Sequence, residues 1–161
     1  MPVSCMYNYF NREGMMATED GCTRMASECI ALRVRLLNRV ITKIYDEALR
    51  PSGLRTAQLN ILVAVSLMKS ASPSEIEQRL SLDKSTVSRN VERMRDRGWV
   101  QFVPTEDGRS HQIHLTAHGA ALLRKATAAW EAAQHTAASV LGKEGVTALS
   151  RLGVSRRAQA G

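Results

Sequence analysis

At Gly98 the spacing of apolar residues changes from steps of three and four to strict alternation, and at Thr116 it changes back. Between these points lie two alternating runs, Trp99-Val100-Gln101-Phe102-Val103 and His111-Gln112-Ile113-His114-Leu115. They flank Thr105-Glu106-Asp107-Gly108-Arg109-Ser110, and an Asp-Gly step between alternating runs predicts a β-hairpin. The segments on either side have helical spacing, so the chain is expected to be mainly α with one small β-hairpin. Composition agrees: 44% of residues are apolar but only 4% are aromatic, which suits a helix-rich protein better than a β-sandwich. A length of 161 residues fits one domain with an appended arm.

Residues 1–21 hold Asn8, Asn11, Gly14 and Gly21 without sustained periodicity and read as an arm. A stripe of Met25, Cys29, Leu32, Leu36, Val40, Ile44 and Ala48 then predicts a long helix, ended by Pro51 and Gly53. A second helix fits Thr56 to Lys69, with Leu59, Leu62, Val63 and Ser66 on its stripe. Ser72-Pro73-Ser74-Glu75 has the pattern of a helix start, with Ser72 as N-cap and Glu75 at the third position. That short helix ends near Leu80, and Ser81-Leu82-Asp83 supplies the turn and cap of the next, from about Lys84 to Arg97. There Val87, Val91 and Met94 share a buried face, which leaves Ser85, Arg89, Glu92 and Asp96 opposite, with Ser88 and Arg93 flanking. Thr116 caps an alanine-rich helix reaching about Leu141; Gly142 and Gly145 break it before a last helix from about Val146.

Lysine and arginine number 22 against 15 acidic residues, a net charge of +7, which points to a polyanionic partner: nucleic acid or an anionic membrane surface. A membrane-surface role needs a basic helix with bulky apolar residues, and the alanine-rich final helices supply few. No run approaches the roughly 18 apolar residues of a membrane span. No apolar run follows Arg12, so no signal peptide is expected. The three cysteines, Cys5, Cys22 and Cys29, form no CxxC motif and fit a reducing, cytoplasmic compartment.

Two short helices followed directly by a hairpin is the order of a winged helix-turn-helix. One apolar face docks the second helix on its neighbours, and its polar face can enter a major groove about 12 Å wide. Lys84, Ser85, Thr86, Ser88, Arg89 and Arg93 are the candidate DNA contacts on that helix, with Arg89 able to fork onto guanine O6 and N7. At the hairpin tip, Arg109 could reach a phosphate or the minor groove. Gly108 permits the tight turn, and Asp107 fits better as a partner fixing the tip. The charge of the Lys84–Arg97 segment alone fits a solvated helix equally well; the order of elements favours DNA.

These stretches together resemble the MarR family of bacterial transcription regulators. The resemblance runs through 54–62, 73–80 and 82–91, then Arg97-Gly98-Trp99-Val100, Asp107-Gly108-Arg109-Ser110 and Leu115-Thr116-Ala117-His118-Gly119. It implies a homodimeric regulator whose first and last helices form a dimerisation domain above two lobes reading a pseudo-palindromic DNA operator, and a repressor is the expected role. It also implies release by a small molecule or a thiol-directed signal, with Ser85, Thr86, Ser88 and Arg89 as recognition contacts and Asp107 and Arg109 in the wing. Gly108 stands where the family often has arginine. The organisation expected is an arm at 1–21, a dimerisation helix at 22–53, a DNA-binding lobe at 54–116 and dimerisation helices at 117–161.

Cys22 and Cys29, seven residues apart, would share a helical face and could hold a soft ion or bridge subunits; a cysteine can equally be a small apolar residue. His111 and His114 have opposite strand parity, so no metal site is expected, and no cofactor is implied. No nucleophile elbow, phosphate loop or zinc-protease motif is present, so no enzyme is expected. The alternative function is a protein-binding adaptor that keeps the fold without specific DNA readout.

Overall fold

The alternating runs form the hairpin, and its strands locate the rest of the fold. A computed structural model describes residues 20–106 and 110–158. The arm's residues 1–19, with Cys5, and the hairpin tip Asp107, Gly108 and Arg109 lie outside the described residues. In chain order come α1 (Asp20–Glu28), α2 (Ile30–Leu49), a 3-10 turn (Arg50–Ser52), α3 (Thr56–Met68), α4 (Pro73–Leu80) and α5 (Lys84–Asp96). Strands β1 (Val100–Pro104) and β2 (His111–Leu115) follow, then α6 (Ala117–Ala158). The chain divides into two compact units, one of residues 45–134 and one of residues 1–44 with 135–161.

In the first unit, β1 and β2 pair antiparallel with Val100 opposite Leu115 and Pro104 opposite His111. Thr105 N–H donates to the Ser110 carbonyl at 3.0 Å and closes the described end of the hairpin. Trp99, read from its alternation as strand, instead lies just before β1: its N–H donates to the Met94 carbonyl and finishes α5. A lone two-stranded hairpin is marginal in water. Here Ala71 and Ile113 exchange backbone hydrogen bonds of 3.1 and 2.8 Å on the other edge of β2, and the Ile113 side chain is fully buried. The core joins Leu49, Leu62, Ile76, Val87, Met94 and Ile113.

Helix α3 runs through the middle of this unit and touches α4, α5 and β2. The stripe expected on it was wrong in part: Leu59 and Leu62 are buried, but Val63 and Ser66 are exposed, and Ile61, Ala64 and Val65 are buried instead. A helix covered from several directions buries more than one stripe, so a single-face reading cannot place its core side. Its N-terminus is capped from a distance, with Thr56 N–H and hydroxyl both donating to Asp46 Oδ1 at 2.7 Å. Helix α4 starts as expected: Glu75 N–H donates to Ser72 Oγ at 3.3 Å, and Ser72 N–H donates to Glu75 Oε2 at 2.7 Å.

The second unit is wholly helical in its described residues. The long helix expected from Met25 starts at Asp20 and is jointed at Cys29. Backbone bonds cross the joint, from Cys29 N–H to Met25 and from Arg33 N–H to Cys29, each 3.1 Å. The Arg33 guanidinium also donates to the Ser27 carbonyl beside the joint. In α6, Gly142 alone leaves helical geometry, with φ 67° and ψ 169°. Gly145 was expected to break the helix too but lies within it. Met25, Ile30, Val34, Leu149 and Leu152 are exposed on these helices. No helix among the described residues is long and apolar enough to cross a membrane.

Candidate nucleic-acid interface

Helix α5 has two chemically distinct faces. Val87, Val91 and Met94 are buried, and Lys84, Ser85, Ser88, Arg89, Glu92 and Arg93 are exposed, with Thr86 half-buried. The arginines of this segment divide by use. Arg97 donates to the Gly53 carbonyl at 2.8 Å and lies 4.9 Å over the Trp99 ring, so it ties the end of α5 to the turn before α3. Arg95 pairs with Glu92 and Asp96 and lies 5.0 Å over Phe102, whose other ring partner is His111, stacked at 4.3 Å. These contacts fasten α5 to the hairpin and draw two carboxylates toward Arg95. Lys84, Arg89 and Arg93 have no carboxylate partner among the described residues.

The N-terminus of α5 is organised around Asp83. Its Oδ1 accepts from Ser85 Oγ at 2.6 Å and Thr86 N–H at 2.8 Å, and its Oδ2 accepts from Thr86 Oγ1 at 2.7 Å. Arg89 Nη2 in turn donates to Ser85 Oγ at 3.1 Å. The Ser85 and Thr86 hydroxyl protons are therefore directed at Asp83, which leaves their oxygens as acceptors, Ser85 Oγ already taking the Arg89 bond. Oxygens left as acceptors suit the donor groups of bases.

Folding lowers the carboxyls of Asp83 and Glu75. The hydroxyls of Ser85 and Thr86, then the Thr86 N–H, hold the Asp83 carboxyl well below the usual range, and the Ser72 N–H and hydroxyl lower that of Glu75. A carboxyl lowered on folding stabilises the fold above its unfolded value and loses that contribution as pH falls through the folded one. The thermal midpoint of the wild type is therefore expected to fall more steeply below about pH 4.5 than that of an Asp83→Asn, Glu75→Gln double variant. Parallel melting curves against pH would contradict this.

The other sequence candidates divide differently. Asp107, Gly108 and Arg109 lie outside the described residues. Cys22 and Cys29 are exposed free thiols. Seven helical residues rise about 10 Å, beyond the roughly 4.4–6.8 Å Cα separation of a disulfide. A direct bond between them within one chain is out of reach. Among the described residues no three histidine, cysteine or acidic side chains group as a metal site. Sequence reasoning missed a cleft of about 210 Å³ between α4, α5 and the hairpin, lined by Pro73, Lys84, Ser88, Val91, Phe102 and His111. Its walls come from segments up to 38 residues apart, Pro73 to His111, so no local pattern signals it.

Two packed short helices, the second with a polar outer face, and an adjoining hairpin make the residue 45–134 unit a winged helix-turn-helix. The family pattern of MarR matches residues 52–110. The transcriptional regulator MosR of M. tuberculosis, solved in complex with DNA, is 32% identical, with a TM-score of 0.69 over 82% of this chain and 97% of that one. MarR of E. coli, in mutant form with operator DNA, shares the fold at 23% identity and a TM-score of 0.70, covering 80% of this chain and 94% of that one. The uncharacterized HTH-type transcriptional regulator YwoH of Bacillus subtilis (strain 168) is 33% identical over 78 residues, 48% of this chain and 57% of its own length. The chain spans about three-fifths of the curated relatives it matches. The chain belongs to the MarR family.

Proposed function

We propose that the chain is a sequence-specific DNA-binding transcriptional regulator, working as a homodimer and most simply as a repressor in the cytoplasm. The observation that carries this is the outer face of α5, where Lys84, Arg89 and Arg93 have no carboxylate partner among the described residues, beside Ser85 and Ser88. Helix-turn-helix proteins place such a face in the major groove, its N-terminal residues on base edges. MosR, a relative 32% identical, was solved with DNA. Arg109, with Asp107 and Gly108 shaping the tip, would add the wing's contact to phosphate or minor groove.

Dimerisation draws on the second unit. Of the stripe residues in this unit, Met25, Cys29, Leu32, Leu36, Val40 and Ile44, none is buried among the described residues, and Met25, Ile30 and Val34 are 73%, 77% and 59% exposed. Apolar surface of that extent is stabilised by a partner, and a two-fold copy sets paired half-sites. For release, a small molecule seated in the cleft beside α5 would meet Lys84 and Ser88 and so compete with DNA. Exposed Cys22 and Cys29 leave a thiol-directed signal between subunits as a second route.

Selection from a random-sequence duplex pool tests the reading. The expected result is an enriched site of two similar half-sites, centred about 10 base pairs apart. The enriched duplex should bind at least ~10³-fold more tightly than a scrambled one. No enriched sequence would contradict specific readout and favour the adaptor function.

A further inference from the structure

Among the described residues Asp83 contacts no candidate DNA-binding cation directly, yet hydrogen bonds through Ser85 link it to Arg89. Arg89 follows Ser85 by one helical turn, and its guanidinium reaches back toward the start of α5 to donate to Ser85 Oγ at 3.1 Å. That end of a helix carries partial positive charge and repels a cation. The Asp83 carboxylate offsets this charge. By taking the Ser85 proton at 2.6 Å, it also turns the lone pairs of Ser85 Oγ toward Arg89. Both Asp83 oxygens are engaged, Oδ2 by the Thr86 hydroxyl at 2.7 Å, so the carboxylate cannot rotate without giving up the helix cap.

We propose that Asp83 is a positioning residue for sequence readout: through Ser85 it holds the Arg89 guanidinium at the N-terminal end of α5, where base edges are met. The inference rests on the DNA-binding reading and deepens it. It assigns the specificity of the helix to a three-residue relay, Asp83 to Ser85 to Arg89, with the carboxylate fixing the direction of both hydrogen bonds.

Asp83→Asn separates this role from helix capping, because asparagine caps about as well as aspartate but removes the carboxylate charge that offsets the helix end beside Arg89. Ser85→Ala breaks the relay one step later and leaves Asp83 on Thr86. In the free full-length protein, ¹⁵N relaxation at Arg89 Nε is expected to show an ordered side chain in the wild type and a mobile one in both variants. In the random-pool selection, the base positions that Arg89→Ala randomises should lose at least ~5-fold of their preference in Asp83→Asn. The thermal midpoint at neutral pH should fall modestly in Asp83→Asn, because the lowered carboxyl stabilises the fold there, so base preference and not the midpoint separates the two roles. A merely structural role would weaken all duplexes alike, leaving base preference intact. Arg89 Nε equally mobile in wild type and Asp83→Asn, or base preference within twofold of wild type, would overturn the proposal. Failure of the wild type to enrich any sequence would overturn the DNA-binding reading as well, whereas the relaxation result judges the relay alone.

Discussion

Arg89→Ala is expected to weaken binding to the selected duplex by roughly 1–3 kcal/mol, on the order of 5- to 150-fold, with relaxed preference at one position of each half-site. The side chain is exposed, pairs with no carboxylate among the described residues and is held by a serine oxygen alone. Its removal should therefore leave the fold intact and take away a planar donor fork. Lysine should not restore the preference, because a point charge cannot make the two parallel bonds of a guanidinium. Lys84→Ala provides the contrast. It should weaken selected and scrambled duplexes alike and reduce the slope of log affinity against log salt by about 1, the behaviour of a phosphate contact. Anisotropy titrations of both variants on both duplexes across a salt series check this. A uniform loss for Arg89→Ala would move Arg89 to the phosphate class and leave the reading face of α5 without its main donor.

Gly119→Ala is expected to be the most damaging small substitution in the lobe. A Cβ at Gly119 would lie 2.1 Å from the Trp99 carbonyl oxygen and 2.9 Å from Leu115 Cδ1. The first of these is backbone, so relief requires moving either the start of α6 or the entry to β1. The same joint carries three hydrogen bonds of Thr116: Oγ1 accepts from Gly119 N–H at 3.0 Å and donates to the Gly98 and Trp99 carbonyls at 2.7 and 3.1 Å. Displacing α6 strains all of them. Overpacking costs about 1–3 kcal/mol, and a clash with backbone puts this one at about 3 kcal/mol, a fall of roughly 6–12 °C in the thermal midpoint of a chain this size. Gly21→Ala is the control. It sits in α1 with nothing within 4 Å of an added Cβ and should be neutral or slightly stabilising. Calorimetry of the full chain separates the two; matching midpoints would mean that α6 does not approach Trp99 this closely.

What was legible in the sequence was what neighbouring residues decide among themselves. The hairpin follows from alternation and an Asp-Gly step; the start of α4 follows from Ser72 and Glu75; the buried face of α5 follows from Val87, Val91 and Met94. What was illegible depends on residues distant along the chain. Thr56 is capped by Asp46, ten residues earlier, so no cap pattern precedes α3. Val63 belongs to a periodic stripe yet is exposed, because α4, α5 and β2 cover other sides of α3. At the site, the candidate cations could be named, but their division could not. Arg95 and Arg97 resemble Arg89 and Arg93 in sequence, and only Phe102, Trp99 and the Gly53 carbonyl reveal that they serve the fold. Asp83 was visible as a cap; its hold on Arg89 needed the path through Ser85.

The central claim is that the outer face of α5 and the adjoining hairpin meet DNA. Amide chemical-shift mapping during titration with the selected duplex tests it most directly. The account predicts the largest changes at 84–93 and 104–111, with little change at the exposed Val63 and Leu67 of α3. Largest changes on α3 or on α1, with 84–93 undisturbed, would contradict it.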